Sequence, residues 1–315
     1  MPAVFGRGGV FPEVKPFDLQ VNGYVGTDFC SLSLDAEQFH NACRALVDDG
    51  VDGILATLIT DSVESLATKL ANMVRLREQD ELARQVIAGF HVEGPFLNPS
   101  LGFIGAHEPE HVCPASVDDA QTILDAGAGL VKLFTLAPEH DAGASVTKSL
   151  AQQGVAVSAG HCDPTLDQLK TAIDNGLSMV THFGNACPVE LPRHDNVLQR
   201  FLSLREHLWF CFIPDGAHVD FIALKNYLDL VGVSRSIMTT DAISAAKLGP
   251  GLHEISGISV EVDEAGVARR PGSLNLAGST ITMPGIRRNL SENLGLGDDE
   301  ITSLVDLNPR AALAL

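Results

Sequence analysis

Short apolar runs alternate with longer amphipathic stretches along almost the whole chain, and this alternation constrains the fold more than any other feature. Runs rich in Val, Ile, Leu and Phe fall at residues 17–23, 53–60, 86–93, 130–136, 155–160, 178–182, 208–213 and 236–240. Their length and their β-branched and aromatic content read as buried strands. Helix-like segments lie between most of them, at 35–49, 63–76, 144–153, 165–175 and 219–231. Eight parallel-type strands with helical crossovers predict an α/β fold, a (β/α)8 TIM barrel. An open doubly wound sheet wants fewer strands and a glycine-rich first turn. The glycine cluster at 6–9 precedes the first strand and lacks the GK[ST] ending of a phosphate loop.

The length of 315 residues is slightly above that of a typical barrel, and 45% hydrophobic residues supply a large core. We therefore expect a single domain over residues 1–315, with the barrel running from about 17 to 315. Within it, 252–280 reads as an inserted β-hairpin turning at Asp263-Glu264-Ala265-Gly266, and 298–315 as a closing helix.

A net charge of −19 argues against nucleic acid and against an anionic membrane surface as partners. An anionic ligand would have to be met by a local cation. Six scattered cysteines with no CxxC pair suit free thiols in a reducing compartment. Residues 1–16 carry no apolar core of signal-peptide length, and no later run approaches a membrane span. A cytoplasmic location is expected.

In a barrel, chemistry collects at the C-terminal ends of strands. Here those ends carry Gln20, Asn22, His91, Glu93, His161, Thr181, His182, Asp215, His218 and Asp241. His91 and Glu93 have strand spacing, so both face the barrel interior. Taken alone they read as a satisfied core pair, because a buried glutamate is unfavourable unless paired or metal-bound. His161 is followed by Cys162-Asp163-Pro164, where Asp163 reads as a helix N-cap and Pro164 as the first helical residue. His182 ends the sixth run, and a lone histidine on an apolar run is more often structural. On strands three, five and six, however, Glu93, His161 and His182 converge on one side of the mouth. One glutamate and two histidines with an open position suit a catalytic Zn2+ or Fe2+. Asp241, ending the eighth strand, is placed to accept a proton from water. The segment 94–110 reads as a cover for the site.

These residues sit in a recognisable series: DLQVNG (18–23), HVEGPF (91–96), LAPE (136–139), SAGH (158–161), Thr181-His182 with Asn185-Ala186, DGAHVD (215–220), TDA (240–242) and LAGSTITM (276–283). In this order they resemble the N-acetylglucosamine-6-phosphate deacetylases of the amidohydrolase superfamily, from about Phe17 to Ala312. The resemblance implies Glu93, His161 and His182 as ligands of one divalent ion, Zn2+ first and Fe2+ as an option. Gln20 replaces part of the paired first-strand histidines of two-metal relatives, so Gln20 and His91 are expected around the ligands rather than among them. It implies Asp241 as catalytic aspartate and His107 as the histidine that polarises the acetamide carbonyl. It also implies His218, Asn185, Ala186, Leu276 and Arg193 as substrate contacts, the arginine contributed across a homodimer. The expected partner is a small amino-sugar phosphate.

Three positions depart from the family pattern: Gly184, Cys187 and Pro214. They leave N-acetylgalactosamine 6-phosphate open as substrate. Most of the family's accessory β-sandwich is expected to be missing. Two further readings are a non-catalytic sugar-phosphate sensor, which a lost ligand or base would favour, and a cyclic-amide hydrolase using Lys132 as a carboxylated bridge.

Overall fold

The computed structural model describes residues 15–255, 258–272 and 275–315, so the glycine cluster at 6–9 lies outside the described residues. Eight strands, Phe17–Val21, Gly53–Ile59, Ile87–Glu93, Val131–Leu136, Ala156–Ala159, Leu177–Val180, Trp209–Phe212 and Ser236–Met238, form one parallel sheet in chain order. The first and last strands nearly close it. Val21 and Ala242 pair as a parallel bridge, and the N–H groups of Asn22 and Gly23 donate to the Ala242 carbonyl. The seam below is bolted by Asp18, whose buried carboxylate accepts from the hydroxyls of Thr239 and Thr240 and from the N–H groups of Gln20 and Thr240. The expected TIM barrel is the observed one.

Its lower interior is filled by Phe17, Leu19, Leu55, Leu133, Met179, Cys211 and Ile237, with Ala312 and Leu313 packed against them from the chain's end. The larger core lies between sheet and helices. Helix Ala36–Asp48 illustrates the logic: Asp35 and Gln38 form a capping box, and Phe39, Ala42, Cys43 and Leu46 make its buried stripe. The segment 298–312 is a continuous helical stretch with a π-helical section at Ser303–Leu307. No described helix is long and apolar enough to cross a membrane. All six cysteines are free thiols.

Several boundaries move. The first strand stops at Val21, because Gly23–Tyr24 turns away to pair with Thr27–Asp28. A Cβ on Gly23 would lie 2.3 Å from the Thr27 carbonyl oxygen and 2.8 Å from the Ser244 nitrogen, so only glycine fits this crossing. Val86 ends a short helix, Glu81–Val86, rather than starting the third strand. The fifth-strand turn is also corrected: Thr165, not Asp163, caps the helix Leu166–Asp174, with Gln168 completing a capping box. Asp163 instead pairs with Arg200 at 2.9 Å. Beyond the barrel, the expected hairpin is a three-stranded antiparallel sheet, Gly251–Ile255, Ile258–Val262 and Ala268–Arg269. Its 263–266 turn is fixed by the Asp263 carboxylate, which accepts from the N–H groups of Ala265 and Val267.

Candidate active site

The third strand delivers Glu93, and the turns leaving the fifth and sixth strands deliver His161 and His182. Both histidines, and Asp241 after the eighth strand, adopt left-handed backbone, with φ of 51°, 32° and 49°. Non-glycine residues hold that conformation at some strain, and such strain clusters at functional sites. It swings each side chain from the strand line into the mouth.

Glu93 Oε1 lies 2.9 Å from His182 Nε2 and 3.2 Å from His161 Nε2, and the two imidazole nitrogens are 3.1 Å apart. All three residues are buried. His161 Nδ1 donates to the Phe103 carbonyl at 2.8 Å, which fixes the tautomer and leaves its Nε2 lone pair facing the cluster. The other Glu93 oxygen accepts from Gln20 Nε2 at 2.9 Å. Burial alone would raise the Glu93 pKa, but its interactions with His161 and His182 win and hold it well below the usual carboxylate range. For His182, burial pulls down and is outweighed by Glu93, so its pKa is raised.

This donor set fits a divalent ion. Ligand atoms about 2.0–2.1 Å from a tetrahedral ion stand roughly 3.3 Å apart, close to the spacings here. Among the described residues, Glu93, His161 and His182 are the group of His, Cys, Asp and Glu side chains able to hold a metal.

Asp241 and His107 border the group. Asn22 Nδ2 donates to Asp241 Oδ1 at 2.6 Å. Burial, reinforced by the charge of Glu93, pushes the Asp241 carboxyl up to about 7. Thr60 N–H donates to His107 Nδ1 at 3.3 Å, and the Thr60 hydroxyl lies 2.8 Å from the same nitrogen. The proton of neutral His107 therefore sits on Nε2, which is 3.2 Å from His161 Nε2. Burial, then the neighbouring His161, pulls the His107 pKa down to about 3 and keeps the ring neutral.

A cavity of about 330 Å³ opens over these groups, within the range of small-ligand pockets. Its lining includes Asn185, Ala186, His218 and Leu276, as well as Gly105 and His107 from the covering segment. His218 Nδ1 is held by Asp215 Oδ2 at 2.6 Å. His91 sits a layer deeper: it is hydrogen-bonded to Thr135 Oγ1 at 2.8 Å and makes no hydrogen bond to the three clustered side chains. Arg193 is exposed and does not line the cavity of its own chain. Of the three departures, Cys187 lines the cavity, whereas Gly184 and Pro214 do not. Lys132 is turned to the barrel exterior, donating to the Gly129 carbonyl, so it bridges no metals.

Sequence reasoning passed over Asn22 as the partner of Asp241, Thr60 as the anchor of His107, and Arg270, which is the sole Lys or Arg among the described residues lining the cavity. Asn22 and Thr60 both stand at strand ends, and that position was the available signal.

Fold and strand-end chemistry place the chain among the amidohydrolase-type hydrolases. No family model matches it. The chain is a homologue of the N-acetylglucosamine-6-phosphate deacetylases. It is 28% identical to the Bos taurus enzyme of that name, over 98% of this chain and 76% of that protein. It is 27% identical to an N-acetylgalactosamine-6-phosphate deacetylase of Escherichia coli O157:H7, over 95% of this chain and 77% of that one. Among solved structures, the Mycobacterium smegmatis N-acetyl-D-glucosamine-6-phosphate deacetylase, determined as a mutant in complex with N-acetyl-D-glucosamine-6-phosphate, superposes with a TM-score of 0.86. That enzyme is 28% identical, and the match covers 96% of this chain and 77% of that one.

Proposed function

We propose that the protein hydrolyses N-acetylglucosamine 6-phosphate to glucosamine 6-phosphate and acetate. The observation that carries this reading is the gathering of Glu93, His161 and His182 beside Asp241 and a neutral His107 in one cavity. A divalent ion held by the first three, with Zn2+ as our assignment, supplies Lewis acidity toward water and carbonyl oxygen. Asp241 takes a proton from the water attacking the acetamide carbon. His107 donates its Nε2 proton in a hydrogen bond to the oxygen as negative charge builds there. Asp241 then hands its proton to the sugar nitrogen as the C–N bond breaks, and acetate leaves. Asn185, Ala186 and Leu276 line the sugar's place. His218 and Arg193 hold the phosphate, the arginine reaching in from a second copy of the chain, since a planar guanidinium is the natural phosphate fork.

Acetate release from N-acetylglucosamine 6-phosphate by protein of measured metal content tests the proposal. Stripping the metal with a chelator should abolish release, and adding back one equivalent of Zn2+ should restore it. Bound metal without release sinks the reading. The relative from Escherichia coli and the cavity-lining Cys187 favour a second reading, N-acetylgalactosamine 6-phosphate. Comparing kcat/KM for the two epimers decides between them.

A further inference from the structure

Arg270 follows the last strand of the three-stranded sheet and reaches across the cavity mouth. Its Nη2 donates to the Ala106 carbonyl at 2.9 Å and to Glu108 Oε1 at 2.8 Å. Ala106 and Glu108 are the two neighbours of His107. At this point the covering segment is also held through the His107 ring, whose Nδ1 accepts from the Thr60 N–H and lies 2.8 Å from the Thr60 hydroxyl. Its backbone hydrogen bonds from Phe103 to His111 are local, running Phe103 to Ser100, Ile104 to Ser100, His107 to Ile104 and His111 to Glu108. Gly102 and Gly105 both take positive φ, so the chain on the approach to His107 bends through glycine twice. It is tied by the Phe103 carbonyl to His161, by the His107 ring to Thr60, and, through the backbone and side chain flanking His107, by Arg270.

The ion pair itself is half exposed, with side chains 35% and 41% accessible, and such a pair adds little stability in water. Its consequence is geometric. One nitrogen grips the carbonyl before His107 and the carboxylate after it, so the peptide that aims the imidazole cannot rotate without breaking the contact to the Ala106 carbonyl.

We propose that Arg270 is a positioning residue for His107, locking the three-stranded sheet to the covering segment so that Nε2 faces the reacting carbonyl. The inference rests on the deacetylase reading above for its catalytic consequence. A guanidinium bound to the substrate's own anion would predict something different, namely weaker binding on removal with unchanged turnover. Because both contacts use a single nitrogen, a lysine ammonium can in principle make them both.

The test compares metal-loaded wild-type protein with Arg270→Ala and Arg270→Lys. Initial rates of acetate release from N-acetylglucosamine 6-phosphate are measured together with amide hydrogen exchange of residues 100–111 in the absence of substrate. Displacing a catalytic group by about 1 Å can reduce rates about 100-fold. We expect Arg270→Ala to lower kcat by about 10- to 100-fold, with KM within about threefold and faster exchange at 104–108. Arg270→Lys should recover most of both. A raised KM with unchanged kcat, unchanged exchange, or no recovery by lysine each overturns the proposal. If wild-type protein releases no acetate, the deacetylase reading fails, while the exchange comparison still decides whether Arg270 holds the segment. Should Arg270→Ala not fold, Glu108→Ala cuts the other end of the tether. It must then also speed exchange at 104–108, and failure to do so counts against the inference.

Discussion

A neutral imidazole and a carboxyl raised to about 7 are unusual neighbours for a glutamate held ionised; burial sets the first two, and the two histidines override it for the third. All three side chains are buried, so each adopts the protonation state that burial and its immediate partners together support. If Asp241 shuttles the proton, Asp241→Asn should lower kcat by about 100- to 10,000-fold while metal content, read by elemental analysis, stays at the wild-type level. Near-normal turnover would remove Asp241 from the mechanism. A second outcome follows from linkage. In the metal-free protein Asp241 keeps its proton up to about pH 7, whereas in the unfolded chain it ionises near its ordinary 3.8. The folded state thus binds the extra proton between those values, and stability falls as pH rises through that window, levelling above 7. Urea melts of metal-free protein at pH 5 and pH 7.5 should show this loss in wild type and a smaller one in Asp241→Asn. Equal losses would show that Asp241 ionises normally. The three clustered donors were legible in the sequence because each follows an apolar run. Arg270 was not, since nothing local distinguishes it from Arg269 beside it; only the folded sheet carries it across to Ala106.

Elements were legible where burial is two-sided. A barrel strand has helices outside and packed side chains inside, so it reads as a near-continuous apolar run, and all eight runs became strands of one sheet. The helix Val117–Ala126 escaped notice because its buried side chains are few, Ala120 and Ile123 among them. Ends were less legible, because they depend on contacts between distant segments. Gly23 leaves the first strand under pressure from Ser244, and the eighth stops at Met238 as Thr239 and Thr240 turn to Asp18. That seam carries a prediction. Burial pushes the Asp18 carboxyl up in spite of its hydrogen bonds, so its place is kept by the donors that surround it. Asp18→Ala strands those donors in a dry interior and should destabilise the protein by about 2–4 kcal/mol in equilibrium unfolding. A change below about 0.5 kcal/mol would mean that backbone pairing near Ala242 closes the barrel unaided.

At the scale of the whole molecule, a chain of net charge −19 is proposed to capture a dianionic sugar phosphate. The cavity deepens the conflict, since Asp28, Glu93 and Asp241 line it against Arg270, whose guanidinium is already engaged with Glu108. Long-range repulsion and short-range recognition therefore oppose each other, and salt separates them. Raising ionic strength from about 0.01 M to about 0.15 M shortens the Debye length from about 30 Å to about 8 Å. The distant surface charges are screened first, while contacts inside a partly enclosed site are weakened less. The kcat/KM for N-acetylglucosamine 6-phosphate should accordingly rise with added salt over this range, and that for unphosphorylated N-acetylglucosamine should stay flat. A fall for the phosphorylated substrate would mean that its approach is governed by a positive field near the mouth. The place to look would then be the exposed Arg193 of an adjoining subunit, because Arg270 is the one lysine or arginine among the described residues that lines the chain's own cavity.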